Sequence, residues 1–327
     1  MFDRAIARPT IVVLGNHKGG SGKSTLAMHI ITAFLKAGIR IASIDLDHEQ
    51  RSLTRYIDNR RDWANKAKIE LELPTHHCIG DFGPKESGSD DSAYAAALIG
   101  LLSSLEPNHD LIVLDTAGGS GQLNLLVHSL ADTLVTPIND SFLDFDVIYH
   151  LGSAQDPTPT PSRYAQSVAA ALAARRKVTG QPTDWIVVRN RLSPLGSRNE
   201  REVLKAIERI ADTAGFRTVP GLLERAVYRE FFPLGLTAFD SLEASVLGVK
   251  PSPSLLHARQ EVTALINALN VVPPMGQEPQ PQANSLETPL AEGTHLSPST
   301  QFEFADHPEL ENAKTNPNGR PRRPGAE

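Results

Sequence analysis

Lys18-Gly19-Gly20-Ser21-Gly22-Lys23-Ser24-Thr25 follows closely on a short, fully apolar run, Ile11 to Leu14. Gly19, Gly20 and Gly22 let the backbone fold back so that its N–H groups converge, the arrangement that cradles phosphate oxygens. Helical spacing starts at Lys23 and runs to Lys36, with Gly38 placed to cap the end. The positive end of that helix points at the same spot. Lys23 supplies a point charge for β- and γ-phosphates, Ser24 a hydroxyl for Mg²⁺, and Thr25 a hydrogen bond to an α-phosphate. The bland alternative is a glycine-rich turn that happens to contain lysines. Seven specified positions between a strand and a helix speak against it.

Outward from this loop, apolar strands alternate with helical patterns. Ile39 to Ile44, Leu111 to Leu114, Thr133 to Pro137, Trp185 to Val188 and Phe216 to Val219 read as strands, and Leu53 to Trp63 as a charged helix. Short, fully apolar strands separated by helices predict a parallel sheet covered on both faces. The fold expected is a doubly wound α/β domain over residues 10–271, with a mostly parallel sheet. Gly80 to Asp91 reads as a surface loop, and Gln155 to Ser162, with three prolines, as an irregular connection. Residues 272–327 differ in kind. Ten of the chain's 24 prolines fall there, and Phe302 and Phe304 are the only aromatics. Such a segment buries too little apolar surface to offset ordering, so a disordered tail is expected.

Bulk properties narrow the function. The 327 residues carry a net charge of -6, so nucleic-acid binding requires a local patch. A single cysteine, Cys78, makes no internal disulfide and fits a reducing cytoplasm. It also excludes an iron–sulfur cluster held by the cysteines of one chain. The first ten residues hold no apolar core of signal-peptide length, and no run of 18 apolar residues occurs.

Two acidic stretches complete the phosphate chemistry. Ile44-Asp45-Leu46-Asp47 puts two carboxylates at the end of the second strand, facing the crevice where doubly wound sheets bind ligands. Acids also begin helices, and a solvated turn is the competing reading. Leu111-Ile112-Val113-Leu114-Asp115 has the form of a Walker B strand, whose acid holds Mg²⁺, and Gly118 and Gly119 after it suit a loop that changes shape. ATP and Mg²⁺ are therefore the expected ligands, with Ser24 and Asp115 around the metal.

The ordinary P-loop has a glycine where this chain has His17, and the chain adds Lys18 at the start of the motif. KGGxGKST of this kind resembles the deviant Walker A ATPases of the ParA/MinD family. That resemblance implies that Lys18 reaches across a homodimer to the partner's nucleotide, as an arginine finger does. It implies that Asp47 orients the attacking water and that Asp45 stands near the water shell of Mg²⁺. The strand Asp184 to Arg191 ends at the edge that meets the base in this family. Asn190 is the adenine candidate, against the reading of an Asn that caps a turn.

Stretches beyond the ATPase motifs resemble the MipZ-type branch: Thr136 to Asp146, Val188 to Leu192, Tyr228 to Thr237 and Ala258 to Glu261. This implies an ATP-driven monomer–dimer switch that positions cell division relative to the chromosome. It would associate with a ParB-type partition protein, bind DNA non-specifically as a dimer, and inhibit polymerisation of FtsZ, near the nucleoid or cell pole. A ParA-type partition ATPase and a P-loop phosphotransferase are the alternatives. A MinD-type protein would end in a basic amphipathic helix for membrane attachment; Leu255 to Leu269 reads as core-packing, so no membrane is expected.

A basic segment fits the DNA expectation. From Arg163 to Arg217 lie eleven Lys or Arg against five carboxylates. Arg198, Arg201, Lys205 and Arg209 recur along one helical face. With Arg191 and Arg217 they suit phosphate-backbone contact without base reading. A solvated helix laced with ion pairs is the competing reading.

Overall fold

The structure is a computed structural model that describes residues 8–82, 91–119, 121–150, 158–193, 198–248, 250, 252–269 and 271. All of them belong to the first of two units of the chain, residues 1–277. The expected tail lies outside the described residues.

In chain order the elements are β1 (Thr10–Leu14), α1 (Lys23–Lys36), β2 (Ile41–Asp45), α2 (Ser52–Ala67), β3 (Thr75–Cys78), α3 (Ile79–Phe82), α4 (Asp91–Leu105), β4 (Leu111–Asp115), α5 (Gln122–Leu130), β5 (Thr133–Asn139) and α6 (Phe142–Phe145). They continue as β6 (Tyr149–His150), β7 (Thr160–Pro161), α7 (Arg163–Thr179), β8 (Asp184–Asn190), α8 (Arg198–Ala214), β9 (Arg217–Val219), α9 (Ala226–Phe231), α10 (Ala244–Leu247) and α11 (Pro253–Ala268). Among the described residues, seven strands form one sheet in the order β3-β2-β4-β1-β5-β8-β9, and each of its pairings is parallel. The doubly wound α/β expectation is met.

Each strand serves two cores because its side chains alternate faces. Along β1, Ile11 and Val13 join the core that holds Leu98, Val127, Val168, Val203 and Ile207 from α4, α5, α7 and α8. Val12 and Leu14 join the opposite core, with Leu26, Ile30, Leu53, Ile57, Val262 and Leu265 from α1, α2 and α11. A third cluster joins Val227, Phe231, Leu236, Leu247 and Leu255 to Trp63. It is fastened to α2 by a fully buried ion pair: Arg60 gives two bonds to Asp240 (2.8 and 2.7 Å) and one to the Gly235 carbonyl (3.0 Å). Gly235 has φ 62, and a Cβ there would lie 2.0 Å from the Arg60 backbone nitrogen.

Two expectations for loops are corrected. Gly80, Asp81 and Phe82, the start of the expected loop, belong to the helical turn Ile79–Phe82, and residues 83–90 of that loop lie outside the described residues. Thr160–Pro161, within the expected irregular connection, pairs antiparallel with Tyr149–His150. Strand β3 was not expected at all, because Thr75-His76-His77-Cys78 has no apolar run; it is an edge strand, where polar residues are usual.

Candidate functional site

The sequence motifs converge at the carboxyl ends of the central strands. A cleft of about 620 Å³ is lined by Gly19, Gly20, Gly22, Lys23, Ser24 and Thr25 from the turn and α1, by Asp47 beyond β2, and by Asp115 to Gly118 beyond β4. Parallel pairing sets this up: β4 lies between β1 and β2 in register, so Leu14, Asp115 and Asp45 share one level of the sheet.

The turn is braced from both sides. Gly22 caps α1 with φ 97, and a Cβ on it would lie 2.2 Å from Nδ2 of Asn190. That amide donates to the Ser21 carbonyl at 2.8 Å. On the other side, the Asn16 side chain donates to the Pro137 carbonyl (2.5 Å) and accepts from the backbone N–H of Lys18 (2.9 Å). Gly119 donates its N–H to the His17 carbonyl at 2.9 Å, so the loop after β4 rests on the turn itself. Asn16 escaped the sequence reading, because a lone Asn between a strand and a glycine turn carries no pattern.

Charge is concentrated beneath the turn. Lys23 is buried, and desolvation lowers its pKa while Asp115 and Asp47 act to raise it. Burial pushes Asp115 up to about 7, with Asp45 adding repulsion; a hydrogen bond from Ser24 and the charge of Lys23 act against the shift. Asp115 Oδ1 is buried without a hydrogen-bond partner. An orphaned carboxylate oxygen costs free energy until a cation or donor meets it. The Ser24 hydroxyl beside it makes an oxygen donor set suited to Mg²⁺, which takes few protein ligands and keeps water and phosphate oxygens.

The other expected residues divide. Asp47 lines the cleft and accepts from the Gln50 N–H at 2.8 Å. Asp45 is fully buried and is absent from the residues that line the cleft. Its Oδ2 accepts from the N–H and hydroxyl of Thr54 (2.9 Å each) and its Oδ1 from the Asp47 N–H (3.0 Å). Lys18, between His17 and Gly19 of the cleft lining, is half exposed, with its ammonium paired to Asp144 on α6.

A second cavity of about 410 Å³ adjoins the first and shares Gly22, Thr25, Arg191 and Phe232 with it. Asn190, Leu222, Tyr228 and Arg229 also line it. Asn190 thus stands where a polar cleft meets a more apolar one. Arg191, expected on a DNA face, lines both cavities instead, with a left-handed φ of 55. Arg201, Lys205 and Arg209 are exposed on α8, opposite buried Val203, Ile207 and Ile210. The side chain of Arg198 lies outside those described. Arg217 does not join that stripe. Its guanidinium gives two bonds to Asp184 (2.7 and 2.6 Å) and one to the Ala268 carbonyl (2.5 Å), fastening β9 to β8 and α11.

A parallel sheet with a lysine-led glycine turn at its crevice and acids beyond two neighbouring strands defines a P-loop NTPase of the deviant Walker A class. The chain belongs to the ATPase MipZ family, whose model matches residues 10–273. A curated relative, protein virC1 of Rhizobium rhizogenes, is 28% identical over 132 residues, 39% of this chain and 48% of the relative. The match to it thus spans about half the length of that relative. Similar solved structures include an ATP complex of McdA from Cyanothece (15% identity, 78% of this chain and 96% of that chain, TM-score 0.49). Another is the MinC:MinD cell division protein complex of Aquifex aeolicus (16% identity, 79% and 94%, TM-score 0.46).

Proposed function

We propose that the chain is an ATP-dependent switch between monomer and dimer, with Mg²⁺ as cofactor, that positions cell division relative to the chromosome. The observation that carries this reading is the single cleft that unites Lys23, Ser24, Asp47 and Asp115, with an unpartnered Asp115 oxygen buried in it. The glycine turn at Gly19, Gly20, Ser21 and Gly22 takes the phosphates on its N–H groups. Lys23 neutralises the β- and γ-phosphates, and Thr25 meets the α-phosphate. Asn190 holds the adenine side of the second cavity. Ser24 and Asp115 would hold Mg²⁺, which would polarise the phosphate oxygens and offset charge that develops on them. Asp45 stands near the water shell of that metal. Asp47 orients water for in-line attack. Lys18 reaches the nucleotide of a second copy.

Family membership supports a wider role in the cell. The protein associates with a ParB-type protein, inhibits FtsZ polymerisation, and binds DNA non-specifically through Arg201, Lys205 and neighbouring cations. The direct test is a pull-down with the Asp47→Ala protein in ATP. ParB-type protein and FtsZ are expected to come with it and to be lost without ATP. Retention of neither would leave an ATP switch without this role.

A further inference from the structure

Behind the cleft a chain of side chains runs from the edge strand β3 to the loop that carries Asp47. Ser43 and His76 are register partners across β2 and β3, and Ser43 Oγ lies 2.9 Å from His76 Nδ1. His76 Nε2 lies 3.0 Å from Thr54 Oγ1. The Thr54 hydroxyl gives its one proton to Asp45 Oδ2 at 2.9 Å, and the Thr54 N–H reaches the same oxygen at 2.9 Å. Asp45 Oδ1 in turn accepts from the backbone of Asp47 at 3.0 Å.

The directions are settled by valence. A threonine hydroxyl has one hydrogen. Because Thr54 spends it on Asp45, it must accept from His76, which therefore carries its proton on Nε2. Nδ1 is then an acceptor for the Ser43 hydroxyl. Burial lowers the pKa of His76 to about 4, so the ring is neutral near pH 7, as this arrangement needs. Each member has one role to play, and the chain ends on the backbone N–H of Asp47.

We propose that His76, acting through Thr54 and Asp45, is a positioning residue that sets the place of the Asp47 loop for hydrolysis. The proposal rests on the reading of Asp47 given above. It separates two jobs in the site. The glycine turn and Lys23 bind nucleotide without help from β3, whereas the water-orienting carboxylate hangs from a bond whose far anchor is an edge-strand histidine. Loosening that anchor shifts Asp47 relative to the phosphates and leaves the phosphate cradle as it was. It also gives the polar edge strand a purpose that packing alone does not supply.

The test compares single-turnover hydrolysis and ATP affinity in full-length protein. His76→Ala and Thr54→Val are expected to lower the hydrolysis rate roughly ten- to hundredfold, the scale of a misplaced catalytic group, with Kd for ATP changed less than about twofold. His76→Gln, whose amide N–H reaches to where Nε2 stands, and Thr54→Ser, which keeps the hydroxyl, are expected to restore most of the rate; His76→Asn, which is too short, is not. A structural role alone would lower the melting temperature and ATP binding together and would show no such split between Gln and Asn. Wild-type rates in His76→Ala and Thr54→Val, beside an inactive Asp47→Ala, overturn this proposal alone. Normal turnover in Asp47→Ala overturns the reading of Asp47 and this proposal with it.

Discussion

Lys18 and Asp144 form an ion pair within one chain, linking the first residue of the glycine-turn motif to the helix after β5. Ser141 donates its hydroxyl to the same carboxylate at 2.8 Å, so Asp144 has an anchor besides Lys18. A lysine that acts on a second copy's nucleotide has to leave this partner first. The pair is part-exposed and is worth about 1 kcal/mol or less. Asp144→Asn is therefore expected to strengthen ATP-dependent dimerisation by up to about fivefold in sedimentation experiments. A weaker dimer in Asp144→Asn would mean that Asp144 serves Lys18 in the dimer, not the monomer.

Nucleotide binding is expected to depend on Lys23 and Gly22 for separate reasons. Lys23→Ala removes the buried cation proposed to meet two phosphates, and each charged hydrogen bond carries about 1.5–3 kcal/mol. ATP affinity is expected to fall about a hundredfold or more by calorimetry. Gly22→Val puts branched carbon where Asn190 Nδ2 leaves 2.2 Å, at a φ of 97 that valine resists. It is expected to abolish binding while circular dichroism stays native. Ordinary ATP affinity in Lys23→Ala would refute the assignment of the cleft.

Acid stability should betray a histidine that no partner satisfies. His128 on α5 is buried, neither ring nitrogen has a hydrogen-bond partner, and burial lowers its pKa to about 4. The unfolded chain, with an ordinary value near 6.5, takes up the proton first. This contribution to stability is full above pH 6.5 and is lost as pH falls from about 6.5 to 4, amounting to about 3 kcal/mol. His29 and His76, also lowered to about 4, act in the same direction, while Asp115, raised to about 7, acts in the opposite one. His128→Leu is thus expected to hold stability at pH 7.5 and to flatten its decline toward pH 4.5 in urea titrations. An unchanged decline would show that His128 is not a source of acid sensitivity.

Much of this site was legible in the amino-acid order alone. Glycine spacing, two strand-terminal acids and a helix starting at Lys23 are local patterns, and Lys23–Lys36 forms the helix expected of it. What stayed hidden depends on distant residues meeting. Thr54 and His76, Asn16 and Pro137, and Lys18 and Asp144 meet only through the parallel sheet and its loops. The same limit misled the reading of Arg217. Its charge counted toward a basic segment, but Asp184, thirty-three residues earlier, pairs with it across neighbouring strands. Strand β3 was missed because polar edge strands lack the apolar run by which buried ones are recognised.

Binding to duplex DNA should depend on the exposed face of α8. Arg201→Glu with Arg209→Glu is expected to weaken binding on every sequence alike and to reduce the log–log salt slope by about one for each phosphate no longer neutralised. Lys205 carries less weight there, since Glu202 lies 3.4 Å from its ammonium. ATP turnover without DNA should not change. Unaltered DNA affinity in this double variant would make α8 a solvated face, with the chromosome reached through a protein partner.

In the proposed cycle, ATP drives two copies together and hydrolysis parts them. Light scattering of the eluting peak, with and without ATP and Mg²⁺, measures this directly in the wild type, Lys18→Ala and Asp47→Ala. All three are expected to be monomers without ATP. With ATP, the wild type is expected to form a transient dimer, Asp47→Ala a lasting dimer, and Lys18→Ala to remain a monomer that still binds ATP. A Lys18→Ala protein that dimerises and turns over ATP like the wild type, or an Asp47→Ala protein that stays monomeric in saturating ATP, would rule out this switch.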